Sequence, residues 1–338
     1  MTSLALPGFV NAHSHAFQRA LRGGTGADFW SWRDGMMALA ESLGVDELRA
    51  EYGQVYREML ENGYTAVGEF HYLGLAEAHA AADAAAEAGI ELVLLLACYL
   101  RGGIPRFRQE SVADYLGQLE RLRAAGVRVG VAPHSVRACP ADALRELGRY
   151  AAEHELPLHV HADEQPREID ECLAEHGKRP IELLADTGCL GPRSVVVHAT
   201  HADGNELDLL ASSGSRICVC PTTEASLGDG FLPVERVRHR GIRLCIGSDS
   251  NVRLDPLEEL RELEGIGRRQ SGRRGVIPLD ELLEIGSSEG AAALGLPSWP
   301  ETSVGLSHPQ LRGVAGDGVY ECLVFSCSSD VFRNTSVQ

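Results

Sequence analysis

A chain of 338 residues with 44% hydrophobic and 23% charged residues can bury a sizeable core, and its composition excludes disorder as the default. The formal net charge of -17 argues against nucleic acid or an anionic membrane as partners, because phosphate binding needs clustered Lys and Arg. An anionic substrate would therefore need local arginines.

The start, Met1-Thr2-Ser3-Leu4, has no basic region, and the apolar run Leu92–Leu100 is too short to span a bilayer, so a cytoplasmic location is expected. Nine cysteines without a CxxC pair read as reduced core thiols, Cys218 and Cys220 among them as packing residues.

In chain order, the first apolar run is Leu4–Val10, broken by Pro7-Gly8 and continuing as the strand Phe9–His13 into His13-Ser14-His15. Side chains of an extended chain alternate, so the two imidazoles share a side, as two ligands of one metal would. The Trp-rich segment Phe29–Arg33 follows, then the strand Ala66–Phe70 with Glu69 and His71 at its end. Ala76–Ala88 reads as an exposed helix. The strand Leu92–Cys98 precedes a helix with Ser111 as N-cap, Val112, Tyr115, Leu116, Leu119 and Leu122 on one face, and Gly126 beyond the end. Val127–Ala132 leads to His134 and Arg137. Beyond the helix Pro140–Glu155 come the strands Leu158–His161 and Val195–His198, the helix Asp203–Ser213, the strands Ile217–Cys220 and Leu244–Gly247, and the helix Pro256–Glu264. After about Pro297 the pattern breaks down into Gly, Pro and Ser punctuation with one strand-like run, Tyr320–Phe325.

Strand followed by helix, repeated along the chain, predicts parallel strands with right-handed crossovers, either an open sheet or a closed barrel. The polar residues favour the barrel. His13, His15, Glu69, His71, His134, His161, His198 and Asp249 all fall at or just past strand ends, which converge on one mouth only if the sheet closes. The expected fold is an α/β (β/α)8 TIM-type barrel over residues 1–297, with a shortened β segment at 298–338. No GxGxxG follows the first strand and no GxxxxGK[ST] occurs, so nucleotide-phosphate cradles have no support.

Imidazoles from His13, His15, His161 and His198 with the Asp249 carboxylate form a donor set suited to Zn2+ and compatible with iron or manganese. Each alone is more commonly a satisfied core histidine or a turn-capping Asp. Together, at matching strand ends, they point to a metal site. His159 shares the strand of His161, and Glu164 follows three residues later, reaching the pocket only if the chain turns there.

The stretches Pro7–Arg19, Phe29–Arg33, Glu69–Tyr72, Ala132–Arg137, His161–Gln165, Val197–His201, Pro221–Gly230 and Gly247–Ser250 resemble the amidohydrolase superfamily, and within it the formimidoylglutamate deiminases of histidine breakdown. The resemblance implies one divalent metal, Zn2+ first, held by His13, His15, His161 and Asp249. It implies that His198 orients the water or polarises the tetrahedral centre, that Glu164 shuttles protons, and that Asp249 takes the water proton. Arg33 and Arg137 match positions used for substrate carboxylates, whose shape suits guanidinium forks, and Gln18, Tyr72 and His134 match further substrate contacts. Hydrolytic deimination of N-formimino-L-glutamate to N-formyl-L-glutamate and ammonia is the expected reaction. The expected partner is a small anionic substrate derived from an amino acid, with no nucleic acid or membrane and with a homodimer allowed.

Two alternatives stay open: deamination of a purine- or pyrimidine-like heterocycle, which would not need both arginines, and a degenerate barrel that binds metal or ligand without turnover. The PCxxC signature of cytidine deaminases is absent. Relative to the family, the first strand lies close to Met1, and the connection after Tyr72 and the segment after Pro297 are short. The expected consequence is a loosely packed 298–338 with a free edge at Tyr320–Phe325, self-association, and adventitious disulfides at Cys322 and Cys327.

Overall fold

The structure, a computed structural model, describes residues 3–24 and 28–333. Ten strands are present among them: β1 (Ser3–Pro7), β2 (Phe9–Ser14), β3 (Tyr64–His71), β4 (Glu91–Cys98), β5 (Val129–Pro133), β6 (Leu158–Ala162), β7 (Ser194–His198), β8 (Arg216–Val219), β9 (Leu244–Ile246) and β10 (Glu301–Gly305). Strands β2 to β9 form one eight-stranded sheet in sequential order, every neighbouring pair parallel. A parallel bridge between Ser14 and Asp249 joins its two edges, with His15 N donating to Asp249 O at 2.8 Å and Asp249 N to His13 O at 3.0 Å. Closure thus runs through the C-terminal end of β2 and the residues after β9, and it brings His13, His15 and Asp249 together. The eight strands are almost wholly buried, as strands covered on both faces must be.

Helices fill the connections: α1 (Phe29–Ser42), α2 (Val45–Glu61), α3 (Leu75–Ala88), α4 (Val112–Ala124), α5 (Ala141–Glu153), α6 (Pro166–His176), α7 (Pro180–Asp186), α8 (Gly204–Ser213), α9 (Pro221–Leu227), α10 (Val234–Arg238), α11 (Pro256–Ser271), α12 (Leu279–Gly286), α13 (Ser288–Ala293), α14 (Gly318–Ser326) and α15 (Asp330–Arg333). Ser111 caps α4 by accepting from Asp114 N, and Asp203 caps α8 from Glu206 N. The alanine-rich α3 is not exposed: Ala78, Ala80, Ala81, Ala84 and Ala85 are buried, and their small side chains let α3 lie close against α2. No helix among the described residues is long and apolar enough to cross a membrane, and all nine cysteines are free thiols.

The C-terminal segment departs from expectation. Tyr320–Phe325 is not a strand but the body of α14, whose buried Val319, Leu323 and Val324 form one helical face against α11. Leu323 and Val324 are adjacent and stand four and five residues from Val319, a set that lies on one side of a helix but on opposite faces of a strand. Arg261 of α11 fixes the helix end by donating to Val324 O (3.0 Å) and Cys327 O (2.6 Å). With no strand there, no free edge exists at that place. The β character of the segment lies in β10 instead, which pairs antiparallel with β1 from Ser3↔Gly305 to Pro7↔Glu301. Gly8 links that ribbon to the barrel, where a Cβ would stand 2.0 Å from Thr65 Oγ1 and 2.4 Å from Pro300 O. The segment is well packed: Val304, Leu311, Leu323, Val331 and Phe332 are buried, contrary to the loose packing expected.

Candidate metal centre and active site

His13 and His15 stand two residues apart at the end of β2, and His161 points inward from β6. The Nε2 atoms of His13 and His15 are 3.2 Å apart and those of His13 and His161 3.0 Å; Asp249 Oδ1 lies 3.5 Å from His13 Nε2 and 3.3 Å from His15 Nε2. One ligand atom from each of the four residues falls within 4.8 Å of the others, and all four side chains are buried. Their outer nitrogens explain the convergence. His15 Nδ1 bonds Phe70 O (2.9 Å) and His161 Nδ1 bonds His134 O (3.0 Å), so these nitrogens carry the proton and Nε2 presents a lone pair to the common centre. Lone pairs facing each other at such distances repel unless a cation lies between them, and three nitrogens with a carboxylate oxygen match a zinc-type donor set. Burial lowers the His13 imidazole to about 3 and moves His15 and His161 downward as well, keeping them neutral as ligands must be. Burial alone would raise the Asp249 carboxyl, but its hydrogen bond to His13 and the nearby His15 and His198 hold it well below the usual range.

Backbone conformation aims the remaining groups. Asp163 (φ 55°), His198 (φ 73°), Ala199 (φ 54°), Asp249 (φ 42°) and Asn251 (φ 57°) occupy the left-handed region, a conformation costly for residues other than glycine that the surrounding structure must impose. The turn at Asp163 swings Glu164 into the pocket, as its reach from β6 requires. His198 Nδ1 donates to Glu224 Oε1 at 3.2 Å, while its Nε2 faces Glu164 Oε1 at 3.7 Å and Asp249 Oδ2 at 3.9 Å. Burial opposes charge on His198, yet Glu164, the Glu224 hydrogen bond and Asp249 outweigh it and lift the imidazole to about 10, making it a cation at neutral pH. Burial raises the Glu164 carboxyl, and His198 and Arg137 pull it back.

A narrow cavity of about 40 Å³ opens on this group, lined by His15, His161, Glu164 and Asp249 together with Gln18, Arg33, Tyr72, His134 and Arg137. Gln18 Nε2 donates to Tyr72 Oη at 2.8 Å, and Tyr72 Oη donates to Met36 Sδ. Arg33 sits on α1, which covers part of the mouth, and makes no ion pair among the described residues. Arg137 is otherwise placed, between Glu164 Oε2 (3.6 Å) and the fully buried Glu168 Oε1 (3.4 Å). Every candidate residue thus lies at one barrel end. His71 and His159 do not join the group: His71 bonds Tyr52 Oη and Gly74 O and is a satisfied core histidine, while His159 is buried and held by Nε2 on Ala293 O, its Nδ1 without a partner among the described residues. Reasoning on the sequence overlooked Glu224, which holds His198 from within the quoted stretch Pro221–Gly230. It overlooked Tyr99 too, although that residue follows β4 directly, the same strand-end position that marked the histidines.

Residues 4–298 match the amidohydrolase family. The formimidoylglutamate deiminase of Pseudomonas aeruginosa is 40% identical over 330 residues, spanning 86% of this chain and 72% of that protein. The chain belongs to the amidohydrolase family. Another relative, the 5-methylthioadenosine/S-adenosylhomocysteine deaminase of Halobacterium salinarum, is 33% identical over 307 residues, covering 87% of this chain and 69% of its own length. Among solved structures, an amidohydrolase from Brucella melitensis superposes with a TM-score of 0.85 at 31% identity, over 97% of this chain and 84% of that one. A zinc-bound adenosine deaminase from Xanthomonas campestris gives 0.88 at 21% identity, over 97% and 78%, a likeness of fold alone. As an amidohydrolase with deiminase and deaminase relatives, the chain is a hydrolase of carbon–nitrogen bonds, and its three histidines and Asp249 form a group able to hold a metal ion.

Proposed function

We propose that this amidohydrolase hydrolyses N-formimino-L-glutamate to N-formyl-L-glutamate and ammonia, a step in histidine breakdown. The observation that carries the substrate is the placement of two guanidinium groups, Arg33 and Arg137, on the wall of the cavity that opens on the His/His/His/Asp group, in a protein of formal charge -17. A dicarboxylate needs such fixed cations, and the 40% identical deiminase supports the same reading.

His13, His15, His161 and Asp249 would hold one divalent ion, for which Zn2+ fits the donors best. When bound, it supplies the Lewis acidity that makes water nucleophilic near neutral pH. Asp249, ionised in its buried setting, accepts the proton of the attacking water. His198, a cation anchored by Glu224, steadies the oxygen on which negative charge builds. Glu164, beside His198 and raised by burial, delivers its proton to the imine nitrogen; as a carboxylate it then takes the proton of the new hydroxyl group and hands it to the departing ammonia as the carbonyl forms, and the proton taken by Asp249 restores its acid form. Gln18, Tyr72 and His134 line the wall that orients the substrate.

The 33% identical nucleoside deaminase favours one second reading, deamination of a purine-like heterocycle. The two guanidinium groups on the cavity wall favour the dicarboxylate, because a neutral ring needs neither. Ammonia release from formiminoglutamate, measured beside a panel of aminopurines and pyrimidines on protein of known metal content, decides between them. Rapid release from formiminoglutamate alone is expected. Turnover of a purine with none of formiminoglutamate would replace the proposal, and metal-loaded protein inert to the whole panel would mark a degenerate barrel.

A further inference from the structure

A second cavity, about 240 Å³, adjoins the inner one, and both share Arg33, Tyr99, His134 and Arg137. Tyr99 therefore stands at the neck between them, and three features set it apart from the other tyrosines.

Its position is fixed. Tyr99 N donates to Gln109 Oε1 at 2.9 Å, and Tyr99 O accepts from Gln109 N at 3.0 Å, so one residue pins both backbone groups. The ring, only 4% exposed, packs on His134 with centroids 4.3 Å apart and on Phe107 at 5.5 Å.

Its hydroxyl is uncommitted. Tyr72 Oη is engaged by Gln18 and Met36, and Tyr115 Oη donates to Leu96 O at 2.7 Å, but Tyr99 Oη has no hydrogen bond among the described residues. The hydroxyls of Tyr56 and Tyr64 also lack partners, yet they are sealed in the core and line neither cavity. Tyr99 differs in opening onto space that a ligand can fill. Facing a cavity and bonded to no protein group among the described residues, the hydroxyl is free to donate to a ligand oxygen, and a hydrogen bond to a charged group is worth more than one to a neutral group.

Its surroundings select the ligand. Arg33 and Arg137 are the nearby cations that act on the Tyr99 hydroxyl, while burial raises it above its ordinary range, so it is a donor throughout the physiological range. Of the two cations, Arg137 already faces Glu164 and Glu168, whereas Arg33 makes no ion pair among the described residues. A free guanidinium and a free phenol facing one neck form a donor pair for the oxygens of one carboxylate.

We infer that Tyr99 is a specificity residue whose hydroxyl, together with Arg33, holds the carboxylate tail of the substrate at the neck between the inner and outer cavities. The inference rests on the deiminase reading and adds a neutral donor to it. Phenylalanine keeps the ring and its packing on His134, so Tyr99→Phe isolates the hydroxyl. The test compares wild type and Y99F in three measurements: kcat and KM on formiminoglutamate, turnover of formamidine, which has no tail, and calorimetric binding of the product N-formyl-L-glutamate. A hydrogen bond to a charged group predicts a loss of about ten- to a hundredfold in kcat/KM, carried mainly by KM. The ratio of formiminoglutamate to formamidine turnover should fall by the same factor, and product binding should weaken alongside. Equal kcat/KM and product affinity in the two proteins would overturn the role of Tyr99 while leaving the deiminase reading intact, and a proportional loss on both substrates would reduce it to packing. A wild-type protein that neither turns over formiminoglutamate nor binds the product would remove the deiminase reading and this inference with it.

Discussion

Asp249 closes the barrel through its backbone and faces the three histidines through its side chain, so a substitution can separate the two roles. Asp249→Asn keeps the bridge to Ser14 but cannot accept a proton. Turnover should fall by about a hundredfold or more, with the circular dichroism spectrum unchanged. The two arginines should behave differently from each other. Arg33 has no ion pair to lose among the described residues, so Arg33→Met should lower kcat/KM by about ten- to a hundredfold with an unaltered melting temperature. Arg137→Met should cost a similar factor and also lower the melting temperature, because it strips the cation from the buried Glu168. A stable Arg137→Met would contradict that. Glu69 adds a pH effect: burial pushes its carboxyl up to about 8 from an ordinary 4.5, so the folded chain keeps a proton that the unfolded chain releases. Stability from this site is greatest below about 4.5 and declines as pH rises toward 8. Glu69→Gln, neutral throughout, should show a flatter melting temperature across that window, and superimposable profiles would remove the assignment. Among single residues the sequence made visible those that recur by position, His13, His15, His161, His198 and Asp249 at the ends of apolar runs. Glu224 and Tyr99 were not visible as partners of His198 and His134, because their roles depend on which loops meet across the mouth.

Apolar runs bounded by glycine or a cap marked the barrel strands and several helices, since each signal is local and repeats with a fixed period. Tyr320–Phe325 shows where that logic stops. Five of its six residues are apolar, Glu321 being the exception, and so short a run satisfies a strand or a helix equally; the decision fell to what lies opposite, the helix α11. The Ala-rich α3 was misjudged for a related reason, because alanine carries little apolar signal yet permits the close helix approach that buries it. The assignment of α14 is testable at the element scale. Leu323 belongs to its buried face, so Leu323→Ala should destabilise by about 2–5 kcal/mol, while Glu321→Ala on the exposed side should be near neutral. A strand would place 321 and 323 on the same face and give both a similar sensitivity.

At the scale of the molecule, the question is whether the C-terminal segment is a loose remnant or part of the barrel's own stability. Several ties favour integration. Arg261 holds the end of α14, and Ser329 N donates to Asp255 Oδ2 at 3.1 Å, on the cap of α11 that follows the Asp249 loop. Ser329 Oγ donates to Asn62 Oδ1 at 2.9 Å at the end of α2. Cys322 and Cys327 sit with their sulfurs 3.9 Å apart, so an oxidant would find a neighbouring pair within the segment before a partner on another molecule. The strongest tie is Phe332. Its ring meets Phe9 edge-on at 5.8 Å, where β2 begins four residues ahead of His13. It also fills the space beside Gly63, where a Cβ would stand 2.9 Å from the ring and where φ is 95°, so glycine is required twice over. Removing that ring opens a cavity against the first barrel strand. Phe332→Ala should therefore cost about 3–5 kcal/mol, read as a lower urea midpoint for the whole chain in a single transition monitored by tryptophan fluorescence. Gly63→Ala should move the midpoint in the same direction. An unchanged midpoint in Phe332→Ala, or an early separate transition confined to the C-terminal residues, would return the segment to the status of a loosely attached appendage, and light scattering should then reveal self-association through the surface it leaves uncovered.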